Sequence, residues 1–131
     1  MPNITMRQLG KLALSTIFTA HLFLAPCACA AEGAAQLSQR AHAYLAKKEY
    51  SLALPLLQQA AEQGDPAAQY SLGLMYAKGQ NFIEARQWWE KSAAQGNADA
   101  QYNLGLMYAT GQGVSKNHAL ARQWKEKAAA Q

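Results

Sequence analysis

The chain has 131 residues, half of them hydrophobic, with twelve Lys plus Arg against eight Asp plus Glu. That length accommodates a single domain, and the mild, dispersed charge lacks the clustered basic stripe that nucleic-acid binding needs. Both cysteines, Cys27 and Cys29, lie before residue 32. From Glu32 onward no thiol is available for a disulfide, a thiolate metal site or a nucleophile.

The first 31 residues read as a targeting segment. Arg7 and Lys11 supply positive charge, Leu12 to Leu24 is largely apolar, and Pro26 breaks the run before Ala28, Cys29, Ala30 and Ala31. This is the layout of a secretory signal peptide with cleavage after Ala30 or Ala31. Translation from Met6 would place Arg7 at the very start. Leu12 to Ala31 is also about long enough, at roughly 20 residues, to cross a bilayer. His21 and Pro26 within it, and its small-residue end, suit a peptidase better than an anchor. Cys27 as an acylated residue is a third reading, weakened by Pro26 where a lipobox has a small residue. The expectation is a cleaved segment 1–31 and a mature domain 32–131, exported to the periplasm or beyond the cell, without stable membrane insertion. The mature part carries ten Lys plus Arg and eight Asp plus Glu, a formal charge of +2.

The mature part repeats itself. "AQYSLGLMYAKGQ" from Ala68 to Gln80 returns as "AQYNLGLMYATGQ" from Ala100 to Gln112. Each copy is followed by a second related stretch, "EARQWWEKSAAQ" and "LARQWKEKAAAQ". Internal similarity at such a period marks a stacked-repeat architecture. Ala53 aligns with Ala85 and Ala121, Gly64 with Gly96, and Tyr44 with Tyr76 and Tyr108. A degenerate first repeat therefore precedes the two clear ones, giving repeats of about 36–64, 65–96 and 97–131. The third is longer, because "GVSKNHA" occupies the turn where the second has "NFIE". In a solenoid such an insertion falls in a loop.

Each repeat reads as two helices, and no strand is evident. Asp65-Pro66 is a start signal, with Asp as N-cap and Pro in the first turn; Asn97 takes the same place one repeat later. The first helix of repeat two runs from Pro66 to Lys78 and ends near Gly79, and its successor ends near Gly111. Second helices are expected over about 83–95 and 117–130, with Ala85, Trp88, Trp89 and Ala93, then Ala121, Trp124 and Ala128, at amphipathic spacing. Gly73 and Gly105 sit within helices, where glycine costs about 1 kcal/mol relative to alanine. Their presence in both copies predicts close approach by the paired helix, at Ala85 or Ala121. The fold class is all-α, a short α-solenoid of three stacked helix-turn-helix repeats.

Catalysis has little support in the sequence. His42 and His118 fall in different repeats with no carboxylate pattern beside them. Ser38, Ser51, Ser71, Ser92 and Ser115 lack the glycines of a nucleophile elbow. Gly111-Gln112-Gly113 is not followed by the Lys-Ser/Thr of a phosphate loop, and Glu62, Asp65 and Asp99 form no ligand cluster. No cofactor or metal is expected. Trp88 and Trp124 are expected between helical pairs. Trp89, whose counterpart is Lys125, is expected to tolerate solvent. Tyr70, Leu74 and Ala77 form a second apolar stripe opposite Leu72 and Tyr76, repeated by Tyr102, Leu106 and Ala109. The expected protein-binding residues are Tyr70, Leu74, Tyr102, Leu106 and Trp89. Packing against the neighbouring repeat's first helix is the competing explanation for the stripe.

These residues resemble the Sel-one-like repeat, a relative of the tetratricopeptide repeat. The resemblance rests on Ala100, Leu104-Gly105, Tyr108, Gly111, Gly113-Val114, Ala121, Trp124 and Lys127-Ala128-Ala129. Repeat two keeps Ala68, Leu72-Gly73, Tyr76, Gly79, Ala85, Trp88 and Lys91, and lacks the Gly-Val loop. The resemblance implies an α-solenoid that mediates protein–protein contacts, in bacteria often exported and engaged in envelope processes or host interaction. A cysteine-rich exported subgroup is linked to binding and hydrolysis of penicillin-type compounds. Its disulfide in each repeat is missing from this mature chain. The expected function is thus an exported, non-enzymatic interaction scaffold. A penicillin-binding or β-lactamase-like envelope enzyme, or a structural subunit of an envelope assembly, are the alternatives. Partners are expected to be proteins; the last repeat lacks an evident polar cap, which leaves self-association open through that end.

Overall fold

The computed structural model describes residues 32–131, and the expectations placed on residues 1–31 lie outside them. Among the described residues there are six helices and no strand: α1 Ala34–Ala46, α2 Tyr50–Glu62, α3 Pro66–Lys78, α4 Phe82–Ala94, α5 Ala98–Thr110 and α6 His118–Ala129. They pack as three pairs, α1 with α2, α3 with α4 and α5 with α6. Neighbouring pairs meet through α2 against α3 and α4 against α5.

Side chains set the helix starts. Asp65 Oδ2 accepts the Ala68 N–H at 3.0 Å, and Asn97 Oδ1 accepts that of Ala100 at 2.9 Å. Asn117 Oδ1 does the same for Leu120 at 3.1 Å. Each satisfies one donor that a first helical turn leaves unpaired. The turns within a pair share one closing bond. The N–H groups of Glu49, Asn81 and Asn117 donate to the carbonyls of Tyr44, Tyr76 and Tyr108 at 2.9, 2.9 and 2.8 Å. The longer third loop therefore re-enters its second helix at the place used by the shorter two.

Two apolar clusters hold the junctions between repeats. The first joins Leu37 and Ala41 of α1, Leu57, Ala60 and Ala61 of α2, and Ala68 and Leu72 of α3. The second joins Ala85, Trp89 and Ala93 of α4 with Ala100, Leu104 and Met107 of α5. Buried glutamines tie the same junctions. Gln69 Nε2 donates to the Ala61 carbonyl and Gln101 Nε2 to that of Ala93, both at 3.1 Å. Gln95 then donates to Gln69 Oε1 at 2.9 Å, and Gln131 to Gln101 Oε1 at 3.2 Å. A glutamine buried this way carries a fixed direction, since an unpaired amide there would cost free energy.

The two adjacent tryptophans point to different junctions. Trp88 packs half-buried against the first cluster, facing back towards repeat one. Trp89 lies in the second cluster, 6% exposed, and its indole N–H donates to the Tyr70 carbonyl at 3.2 Å. The expectation that the Trp89 position tolerates solvent is corrected here: the arrival of α5 covers it. Trp124 packs half-buried against the second cluster, as Trp88 does against the first. Lys91 lies over the Trp88 ring at 4.3 Å and Lys127 over Trp124 at 5.2 Å, so each indole has a cation on its outer face.

The glycine positions are close contacts. A Cβ on Gly73 would fall into the Trp89 indole, 3.0 Å from Cε2. One on Gly105 would lie 2.9 Å from Lys125 Cγ and 3.1 Å from the Ala121 carbonyl oxygen. Close approach is as expected, but Trp89 rather than Ala85 occupies the space over Gly73.

Candidate protein-binding surface

Each repeat has a face that receives the first helix of the next. In repeat two, α3 contributes Tyr70, Leu74 and Ala77 to that face, and α4 contributes Ala85, Trp89 and Ala93. Tyr70, Leu74 and Ala77 are partly buried against the second cluster, to which α5 brings Leu104 and Met107. In repeat three the corresponding residues of α5 are Tyr102 and Leu106, which are 50% and 38% exposed. One stripe thus has two environments. It is half-covered within the stack and open at the last described repeat.

Of the five residues expected to bind protein, Tyr102 and Leu106 stand on an open surface, and Tyr70 and Leu74 lie at a junction between repeats. Trp89 belongs to the core of that junction and is withdrawn from the binding set. The Trp89 position differs between copies because the Trp89 junction is filled, while Lys125 faces an unfilled one. Sequence comparison of the two copies shows the exchange of Trp for Lys but not this cause.

Beside Tyr102 and Leu106, a groove of about 600 Å3 runs along α5 and α6, with Ala109, Ala121 and Ala129 on its floor and Arg122, Lys125 and Glu126 along it. A second depression, of about 340 Å3, lies where Arg86 meets Tyr108 and the loop residues Val114 to Asn117. That loop packs onto the preceding repeat. Val114 joins the second cluster, and a Cβ on Gly113 would lie 2.9 Å from the Phe82 carbonyl carbon. The Gly-x-Gly-Val run is therefore a backbone contact between repeats.

One polar chain crosses the first junction. His42 Nε2 and Ser71 Oγ are 2.9 Å apart, and His42 Nδ1 lies 3.4 Å from Ser38 Oγ. Sequence spacing did not bring these residues together, since 29 positions separate His42 from Ser71. Ser71 is buried, and the second imidazole nitrogen meets a hydroxyl rather than a carboxylate. The arrangement ties α1 to α3 and lacks the oriented base of a hydrolytic triad. His118 is exposed at the first position of α6. Among the described residues, no group of three or more His, Asp or Glu side chains is placed to hold a metal ion.

Comparisons with known proteins agree with this geometry. A model of the Sel1 repeat matches three times in succession, over residues 31–65, 66–97 and 98–131. The chain is similar to the crystal structure of a Sel1 repeat protein from Oxalobacter formigenes, with 39% identity and a TM-score of 0.67, over 71% of this chain and 40% of that one. It is also similar to a protective antigen present in uropathogenic Escherichia coli strains, which displays an SLR fold. That match has 30% identity and a TM-score of 0.69, over 74% of this chain and 22% of the antigen. The chain thus spans less than half the length of either structure. No curated protein matches it.

Proposed function

The chain belongs to the Sel1 repeat family, and we propose that it acts there as an exported, non-enzymatic protein-interaction scaffold of the cell envelope or of host contact. The observation that carries this reading is the exposure of Tyr102 and Leu106 on a face whose counterpart in repeat two is half-covered by a packed neighbour. Apolar side chains gathered on an open face usually mark an interaction site, and tyrosines are frequent energetic centres of interfaces. The likeness to an antigen of uropathogenic bacteria supports a role at the cell surface. The basic, apolar and small-residue order of residues 1–31 supports export.

The binding test is the double change Tyr102→Ala with Leu106→Ala, compared with wild type in cross-linking to envelope proteins. Loss of the cross-linked species with unchanged helicity and melting temperature is the expected result. Equal cross-linking by both proteins would refute a role for this face. Export is tested by mass spectrometry of the protein recovered outside the cytoplasm. The expected N-terminus is Ala31 or Glu32, and a full-length or Cys27-acylated species would overturn the cleavage reading.

A further inference from the structure

The groove along α5 and α6 has a filled counterpart one repeat earlier. There, Ala85, Trp89 and Ala93 of α4 receive Ala100, Leu104 and Met107 of α5, a small residue, a leucine and a methionine at positions i, i+4 and i+7. In repeat three the groove floor keeps the small residues, with Ala121 and Ala129 in the places of Ala85 and Ala93. Lys125 stands in the place of Trp89. The shape of the slot is retained and its charge is changed.

That charge has no internal partner. In repeat two Arg86 pairs with Glu90 at 3.2 Å. The equivalent Arg122 and Glu126 make no ion pair among the described residues, and neither does Lys125. At the filled junction Asn103, at i+3 of α5, lies with Trp89 and Met107 around one small pocket. A residue at that position of a helix laid in the open groove would therefore meet the Lys125 ammonium.

Resting on the scaffold reading above, we infer that this groove binds an amphipathic helix of a partner protein. That helix carries a small residue, a leucine and a methionine at i, i+4 and i+7, with a carboxylate at i+3. It continues the stacking interface already made twice within the chain, and its carboxylate answers Lys125 and Arg122. A second copy stacked head to tail is a poorer occupant. Its α1 presents Gln36, Arg40 and Ala43 at the three stripe positions, which would drive a guanidinium to the place where the filled junction has Leu104.

A stapled, fluorescent peptide with the sequence of residues 97–112 and the change Asn103→Glu serves as probe, titrated with the full chain. Saturable binding is expected, about fivefold tighter than for the Asn103→Lys peptide, the scale of a partly exposed charge contact reversed in sign. The change Lys125→Glu in the chain should invert that order, and Ala129→Trp, which fills the floor, should abolish binding. The inference is overturned by absence of saturation with a chain of intact helicity, or by an order of peptides indifferent to Lys125→Glu. It is equally overturned if sedimentation shows a dimer of the chain that Ala129→Trp dissolves, since a second copy would then own the groove. Envelope cross-links lost with Tyr102→Ala and Leu106→Ala but kept with Ala129→Trp would sink the groove and leave the scaffold reading standing. Cross-links kept in both would sink the two together.

Discussion

Gly73 and Gly105 occupy the same position in successive repeats, yet their neighbours differ in stiffness. Over Gly73 lies an indole fixed by packing and by its hydrogen bond to the Tyr70 carbonyl. Over Gly105 lies the flexible stem of Lys125, with the Ala121 carbonyl as the firmer contact. A methyl group added at Gly73 must displace a ring in a filled junction, whereas one at Gly105 can push an exposed side chain aside. Gly73→Ala is therefore expected to lower stability by about 1–3 kcal/mol, the usual cost of overpacking. Gly105→Ala should cost less, and Gly73→Ala should become milder when combined with Trp89→Lys. Urea titration of the four proteins measures all three, and equal losses at the two glycines would contradict this account. The need for glycine was legible in the sequence because it occurs twice in mid-helix against its propensity. The partner was not. Trp88 and Trp89 are neighbours on one helix, and nothing in their spacing says which faces forward. The Trp-to-Lys exchange suggested solvent at a place that α5 covers.

Among the elements, the turns show what the repeat preserves. Three turns of two lengths end in the same bond, from Glu49, Asn81 or Asn117 back to Tyr44, Tyr76 or Tyr108. The extra residues of the third turn are free to leave the stack, yet they fold back onto it. Gly113, at φ +68°, presses its backbone against Phe82, and Val114 joins the apolar cluster. Both conditions exclude a side chain at 113: the left-handed backbone disfavours a Cβ, and Phe82 leaves no room for one. Gly113→Ala is expected to cost about 1–3 kcal/mol, from strain and overpacking together. The loop should also loosen, read as faster amide exchange at Val114 and at the start of α4. Unchanged exchange at Phe82 would show that the loop does not clamp the preceding repeat. The sequence identified this stretch as a turn that tolerates insertion. It could not show the clamp, because Phe82 and Gly113 belong to different repeats and their meeting depends on how the pairs stack.

Across the whole molecule, stability is a chain of nearest-neighbour terms, as in other repeat proteins. The first junction rests on Leu37, Leu57 and Leu72, and the second on Trp89, Leu104 and Met107. Apart from backbone continuity, what reaches repeat three passes through the second. The solenoid class and the pairing of helices followed from the 32-residue period. The inequality of the two junctions did not, because it depends on Trp89 facing α5. Trp89→Ala removes the largest side chain of that junction and should cost about 3–5 kcal/mol, the range for a buried aromatic truncated to alanine. The loss should fall unevenly. Amides of α5 and α6 should approach the exchange rates of an unfolded chain, while those of α1 to α3, held by the first junction, keep most of their protection. Native-state hydrogen exchange resolves this directly. If protection falls by the same factor in all six helices, the three repeats unfold as one unit and the nearest-neighbour description is wrong for this chain. If it falls only in α5 and α6, the Tyr102 and Leu106 face is carried by the least stable pair. A helix seated in the α5–α6 groove would then slow their exchange by an amount set by its affinity.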